Sequence, residues 1–270
     1  MNDARIGWYV YCVVAPEARP ELEGVAGVDP DSGPTLLAHG DVSAVVSRVR
    51  LDEFGADALK RNLEDLGWLE RTARAHDAVL ARALAGEAVV PMRLCTIFTD
   101  EAHVRDMLEL ERDRLARALE LLRGRAEWGV KVLADLGALE AAARERTPAL
   151  AAAGSESGGA GRAYFAHKKA DQALRQEARS MAAAAAEETH TRLRDPAVAA
   201  TLLPAQHPDL SRRSGEMVLN GAYLVDRSRG PAFEAIAEEL AERHRPAGIQ
   251  LELSGPWAPY NFVPEGREPP

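Results

Sequence analysis

The stretch VVPMRLCTIFTDEAHVRDMLELERDRLARALELLRGRAEWGVKVLA, Val89 to Ala134, decides how the rest of the chain is read. Its pattern predicts a strand, a helix and a second strand. Val90, Met92, Leu94, Thr96 and Phe98 fall on one face of an extended Val89–Phe98 segment, with Arg93 and Cys95 on the other. Thr99 or Asp100 is placed to cap a helix in which Val104, Leu108, Leu115, Leu119 and Leu122 recur at steps of three and four. Glu111 interrupts that apolar stripe once. Gly124 is placed to stop the helix, and Trp128, Val130, Val132 and Ala134 alternate along the returning strand. Such a unit suits a helix packed across a sheet. Nothing in it has the form of a chemical site.

The surrounding composition fits a soluble globular protein. At 270 residues the chain is long enough for one large domain or two ordinary ones. Hydrophobic residues at 46% against 28% charged place it away from disordered chains. A net charge of −9 argues against broad nucleic-acid binding, which needs a basic footprint. Apolar runs are too short to span a bilayer and no signal-peptide pattern opens the chain, so a cytoplasmic protein without a membrane partner is expected. Cys12 and Cys95, both in predicted strands, are expected as buried free thiols.

Before the central stretch, Gly7–Val14 is rich in β-branched and aromatic residues and predicts a strand. Residues 15–34 hold prolines and turn signals and are expected to be irregular. Thr35–Ala38 and Val42–Val49 around His39-Gly40-Asp41 predict a hairpin. Asp57–Gly86 predicts one long helix whose seam runs through Leu59, Leu63, Leu66, Ala73, Leu80 and Leu84, with Gly67 inside it and His76 on the same face. His76 beside Asp77 is a poor catalytic dyad, because neighbours on a helix do not face each other. A hydrogen-bonded core histidine is the plainer role.

After it, Leu136–Arg146 continues as helix, and Thr147-Pro148 could cap a further turn. Residues 154–161 (GSESGGAG) have linker composition, giving an expected division into 1–153, a linker 154–161 and 162–270. Tyr164–Asp195 predicts a second long helix with a seam at Leu174, Ala178, Met181 and Ala185. That alanine-rich seam, centred on Met181, could pack within the chain or meet another chain. Ala197–Leu203 and Glu216–Asp226 predict strands, Pro231–Arg245 a helix, and Ile249–Leu253 a last strand.

A search for chemistry finds no phosphate-binding glycine loop, no metal-ligand spacing of histidine or cysteine and no nucleophile elbow. No catalytic, cofactor or metal residue is therefore assigned. Two features carry a binding alternative. Arg93 lies mid-strand and must pair with an acidic residue or reach a binding surface. Trp257, Tyr260 and Phe262, separated by proline, either lock the terminus down or anchor a partner.

Several runs together resemble the gas vesicle accessory family GvpF/GvpL. Pro91–Phe98 (PMRLCTIF) is similar to that family's P-x-R-F-G-T-x-F, and Glu127–Lys131 (EWGVK) to its E-W-x-V-K. Asn220–Val225 (NGAYLV) and Gly255–Phe262 (GPWAPYNF) are similar to its N-x-A-[FY]-L-V strand and its G-P-x-P-P-Y-x-F terminus. Tyr9-Val10-Tyr11-Cys12 resembles an opening Y-x-Y-G. Leu94-Cys95 replaces Phe-Gly, Ala258 replaces proline, and Cys12 replaces glycine. The resemblance implies an α+β fold of two ferredoxin-like mixed-sheet units with long covering helices. It also implies a non-enzymatic accessory role in gas vesicle formation: binding the hydrophobic shell protein GvpA, limiting its aggregation, meeting other accessory proteins and staying with the vesicle as a minor component. An enzyme or small-ligand sensor on such a scaffold is the alternative, and would need a pocket with convergent polar groups.

Overall fold

Strand β1 (Ile6–Val14) runs through the middle of the first sheet, with β3 (Val42–Arg50) on one side and β4 (Val89–Pro91) on the other. β2 (Thr35–His39) lies outside β3, and the short β5 (Ile97–Phe98) also pairs with β1. These pairings are antiparallel. In chain order the sheet reads 2-3-1-4, the strand order of a ferredoxin-like unit. The computed structural model describes residues 5–85, 88–146, 160–205 and 215–264. It divides into two units, Met1–Glu127 with Trp257–Pro270, and Trp128–Pro256.

Unit 1 makes its first crossover with no regular element. Residues 15–34 are held by polar side chains instead. The buried Asp29 carboxylate accepts the backbone N–H groups of Asp31 at 3.2 Å and Arg50 at 3.3 Å, and the Tyr11 hydroxyl accepts that of Val28 at 2.9 Å. An irregular segment can lie against a sheet only where its backbone groups find partners in this way. Gly27 has to be glycine, since a Cβ there would sit 2.4 Å from the Ser32 carbonyl oxygen.

A short α1 (Leu51–Phe54) follows β3, and the expected helix 57–86 is two helices, α2 (Ala56–Asn62) and α3 (Leu66–Leu84). Asp65 makes the break. Its carboxylate accepts the N–H groups of Gly67 and Trp68, starting a new helix there. Gly67 thus lies in a first turn rather than a helix interior, and Leu63 and Leu66 are exposed rather than on the seam. Trp68, Thr72, His76, Val79, Leu80, Ala83 and Leu84 form the buried face of α3. That face joins Tyr9, Tyr11, Val45, Val49 and Phe54 in one core.

The expected strand Val89–Phe98 is likewise interrupted. Pro91 faces Cys12 while Ile97 faces Tyr9, so six steps along this segment span three along β1. Met92 N–H donates to Tyr11 O and Val10 N–H to Thr96 O, both at 2.9 Å, and residues 93–95 loop out between them. Thr96 donates its N–H and its hydroxyl to the Arg93 carbonyl, closing the turn. Cys95 adopts φ 63 there, a left-handed conformation that favours glycine. The helix that follows is α4 (Glu101–Leu110), capped by Asp100, and α5 (Arg112–Leu122). Glu111 is the hinge between them and pairs with Arg114. Val104, Leu108, Leu115, Leu119 and Leu122 are buried as the stripe predicts.

The returning strand β6 (Arg125–Ala134) does not rejoin the first sheet. It is the first strand of the second, whose order is β7-β8-β6-β9, with β7 Ala199–Leu202, β8 Glu216–Asp226 and β9 Ile249–Trp257. This too reads 2-3-1-4. The strand–helix–strand stretch is therefore shared between units rather than forming one. The division at Glu127/Trp128 also differs from the expected 1–153 and 162–270. Of the expected linker, residues 154–159 lie outside the described residues, and Ala160 and Gly161 already belong to a helix, α7 (Ala160–Arg194). Thr147-Pro148 also lies outside the described residues.

In unit 2, α6 (Leu136–Arg146) and α7 make the first crossover and α8 (Gly230–His244) the second. Their buried faces meet Trp128, Val130, Val132, Tyr223 and Val225 of the sheet. Ala170, Leu174, Ala178, Ala182, Ala185 and Ala186 are the buried residues of α7 over most of its length, so the helix covers its neighbours with small side chains. The seam predicted at Leu174, Ala178 and Ala185 is core.

Candidate functional site

From Trp257, the last residue of β9, the chain belongs to unit 1 again as a strap, residues 257–264. A cis Gly255–Pro256 peptide precedes it. Ala258 and Pro259 are buried, and a single 3-10 turn, Tyr260–Phe262, follows. Its backbone bonds are internal: Tyr260 N–H donates to Ala258 O at 2.9 Å and Phe262 N–H to Pro259 O at 3.2 Å.

Side chains tie the strap to the rest of unit 1. The Tyr260 hydroxyl lies 2.9 Å from Nε2 of His76, a residue only 1% exposed. On the other side of that ring, Nδ1 is 2.9 Å from the Tyr9 hydroxyl, which accepts the Cys95 N–H at 3.0 Å. A neutral imidazole has one donor and one acceptor nitrogen, so one tyrosine donates to His76 and the other accepts from it. Next to this chain, Asn261 donates its backbone N–H at 2.9 Å and its side-chain N–H at 2.5 Å to the carboxylate of Glu127, itself 6% exposed. Arg114 donates to the Pro264 carbonyl at 2.9 Å.

Burial dominates the electrostatics. It lowers the His76 pKa to about 4 and raises those of the Tyr9 and Tyr260 hydroxyls. Asp77, Cys12 and Glu127 add to the rise at Tyr260. The Glu127 pKa is also raised by burial, against the opposing pull of the Asn261 hydrogen bonds. Burial pushes the Cys95 thiol up to about 11, and the fully buried Cys12 thiol higher. At neutral pH the cluster is an uncharged Tyr–His–Tyr chain beside one buried acid.

The residues singled out in the sequence are spread between the two units. Trp257 is 53% exposed although the residue after it is core. Tyr260 is 39% exposed but delivers its hydroxyl to His76. Phe262 is half-buried. Arg93 is exposed; the looped turn carries it to water, which removes the need for a buried acidic partner. Cys95, two residues on, connects the same turn to Tyr9 and hence to the strap. Met181 belongs to unit 2, half-buried against its core. Sequence reasoning saw His76 as a core histidine but missed that it holds the strap, and missed Glu127 and Asn261. A lone histidine on a buried helical seam was the only signal available for the first.

Other concavities are open. One groove is lined by Tyr164, His167, Lys168, Asp171, Arg175 and Arg179, all on α7, so its polar groups do not converge from different elements. Among the described residues no group of three or more histidine, cysteine or acidic side chains is placed to hold a metal ion, and no helix is long and apolar enough to cross a membrane.

Comparison with known proteins gives a consistent result. The profile of the gas vesicle synthesis protein GvpL/GvpF family matches residues 7–264. Gas vesicle protein L of Streptomyces sp. (strain CB03234) is 40% identical over 255 residues, covering 94% of this chain and 92% of the relative. Gas vesicle protein F of the same strain is 29% identical, covering 94% and 98%. The crystal structure of GvpF from Anabaena sp. PCC7120 superposes with a TM-score of 0.70 at 17% identity, covering 97% of this chain and 98% of that one. GvpF from Microcystis aeruginosa gives 0.68 at 16%, covering 96% and 99%. At such identities the two structures speak for the fold alone.

Proposed function

Since the chain belongs to the GvpL/GvpF family of gas vesicle synthesis proteins, we propose that it serves gas vesicle formation as a non-catalytic binding protein for the hydrophobic shell protein GvpA. Trp257 is the observation that carries this. A large indole stands in solvent on a segment whose neighbours are tied down by Ala258, Tyr260 and Asn261. An aromatic side chain has few rotamers to lose on binding, and such anchors dominate protein interfaces. Arg93, exposed on a turn joined to the same cluster, supplies a rim charge that tunes encounter more than affinity. By covering apolar surface on the shell protein, an acidic chain of net charge −9 limits its self-association and keeps the pair soluble in the cytoplasm, beside the growing vesicle. Other accessory proteins of the vesicle are its further partners, and it stays as a minor vesicle component.

The test is a titration of the purified chain with detergent-dispersed shell protein. Trp257→Ala is expected to weaken binding about tenfold or more, the scale of an interface anchor, with the melting temperature unchanged. Tyr260 is unsuitable as a probe here, because its hydroxyl also ties the strap to His76 and its loss would change more than the contact surface. Unaltered affinity in Trp257→Ala removes the strap as the contact surface.

A further inference from the structure

We propose that unit 1 carries a peptide-binding site, walled by His76 and Glu127, which residues 257–264 fill in cis and leave without unfolding the core. Two buried side chains make it a built site: the imidazole receives a tyrosine hydroxyl and the carboxylate receives an asparagine backbone and side chain. The ligand it fits is a short proline-bounded peptide with tyrosine followed by asparagine.

Three features of the strap mark it as a bound ligand rather than an integral strand. After Trp257 it is no longer part of β9, and the backbone bonds within it close its own turn. Its fully buried apolar contribution is small, Ala258 and Pro259; Phe262 and Val263 are half-buried, and Trp257, Tyr260, Asn261 and Pro264 are exposed. Its anchors are hydrogen bonds to the side chains of His76, Glu127 and Arg114, which water can replace on release. Segments with few buried apolar contacts open at free energies well below global unfolding. Prolines at 256, 259 and 264 bias the released segment towards extended conformations, so rebinding orders little chain. The same logic admits the strap of a second copy to a vacated site.

The experiment uses the full chain and its Tyr260→Phe/Asn261→Ala variant. In the wild type, the Tyr260, Asn261 and Phe262 amides are expected to exchange with deuterium about a hundredfold faster than those of β1 and β3. The double variant is expected to accelerate the strap amides about tenfold further and to leave β1 and β3 unchanged. A fluorescently labelled peptide of residues 255–264 is then expected to bind the variant saturably, while a peptide carrying the same two substitutions binds about tenfold more weakly. Equal exchange rates for strap and β1 overturn the proposal, because the strap then opens only with the whole unit. Equal binding of the two peptides also overturns it, because the two polar walls then recognise nothing.

Discussion

The two units lay their strands in the same 2-3-1-4 order but hold them together differently. Unit 1 crosses from its first strand to its second through an irregular segment; unit 2 does so through α6 and the 35-residue α7. Where unit 1 lacks a helix in that crossover, Asp29, Tyr11 and Ser47 are buried and bonded in its place, and under α3 the buried Tyr9 is bonded to His76. Unit 2 relies on apolar fit, alanines of α7 against a small cluster of Trp128, Tyr223 and Phe233 with ring centroids 5.7–5.9 Å apart. One strand order is thus compatible with a directional, hydrogen-bonded core and with a close-packed one. The family likeness between units lies in topology, not in side chains.

The largest effect is expected where apolar fit does most of the holding. Phe233 is fully buried between Trp128 and Tyr223, and Phe233→Ala leaves a cavity that α8 cannot fill. A loss of about 3–5 kcal/mol is expected in urea unfolding, with amides of unit 2 losing protection first. Equal loss of protection in both units would break the comparison.

Acid should act on unit 1 instead. With a pKa of about 4 against an ordinary 6.5, His76 stays neutral in the folded chain while the unfolded chain takes up its proton. Its contribution is intact above about pH 6.5 and is lost as pH falls towards 4, by up to roughly 3 kcal/mol. Glu127 opposes this, since its raised pKa makes the folded form take up a proton first. Melting temperatures from pH 7 to 4 are expected to fall more steeply in the wild type than in His76→Gln. Parallel curves would mean that His76 does not set the acid sensitivity.

A smaller and sharper contrast compares two tyrosines. Tyr9→Phe removes a hydroxyl that serves both His76 and the Cys95 N–H, leaving two groups unsatisfied. Tyr223→Phe loses one bond, at 3.0 Å, to the half-exposed His190, which water can replace. The first is expected to cost about 1–3 kcal/mol and the second about 1 kcal/mol or less. Chemical denaturation of both variants measures the difference; equal losses would show that the polar core of unit 1 has no special weight.

Much of this was legible in the sequence where a local pattern decides the outcome. The hairpin around Gly40, the irregular 15–34 segment, α6 at Leu136–Arg146 and β8 at Glu216–Asp226 follow from periodicity and turn chemistry. Pairing at long range was not. β6 alternates as a strand should, but alternation does not say which sheet it joins. The break at Asp65 was hidden because apolar residues continue in phase across it: Leu63 and Leu66 kept the rhythm while pointing to solvent. Glu111 did interrupt the stripe, but one polar residue in a continuing period does not by itself end a helix. At the candidate site the aromatic tail was visible as composition, and its exposure was not. His76, Glu127 and Asn261 come from distant positions, and only the fold brings them to the strap.

The smallest expected effect is a gain. Cys95 takes φ 63 in the loop between β4 and β5, where a side chain is strained. Cys95→Gly is expected to stabilise unit 1 by about 1 kcal/mol, a rise of about 2–4 °C in melting temperature, less what the half-buried thiol contributed. A fall in melting temperature would mean that the packing of the thiol outweighs the backbone strain.

The central claim, that this chain works by covering the shell protein rather than by acting on it, is tested most directly by light scattering of shell protein diluted from denaturant. Suppression of aggregation is expected to grow in proportion to the amount of added chain, to saturate at a fixed molar ratio and to weaken in Trp257→Ala. Full suppression by about one chain per hundred shell proteins would point to turnover, and no suppression at any ratio would deny the interaction; either result contradicts the account.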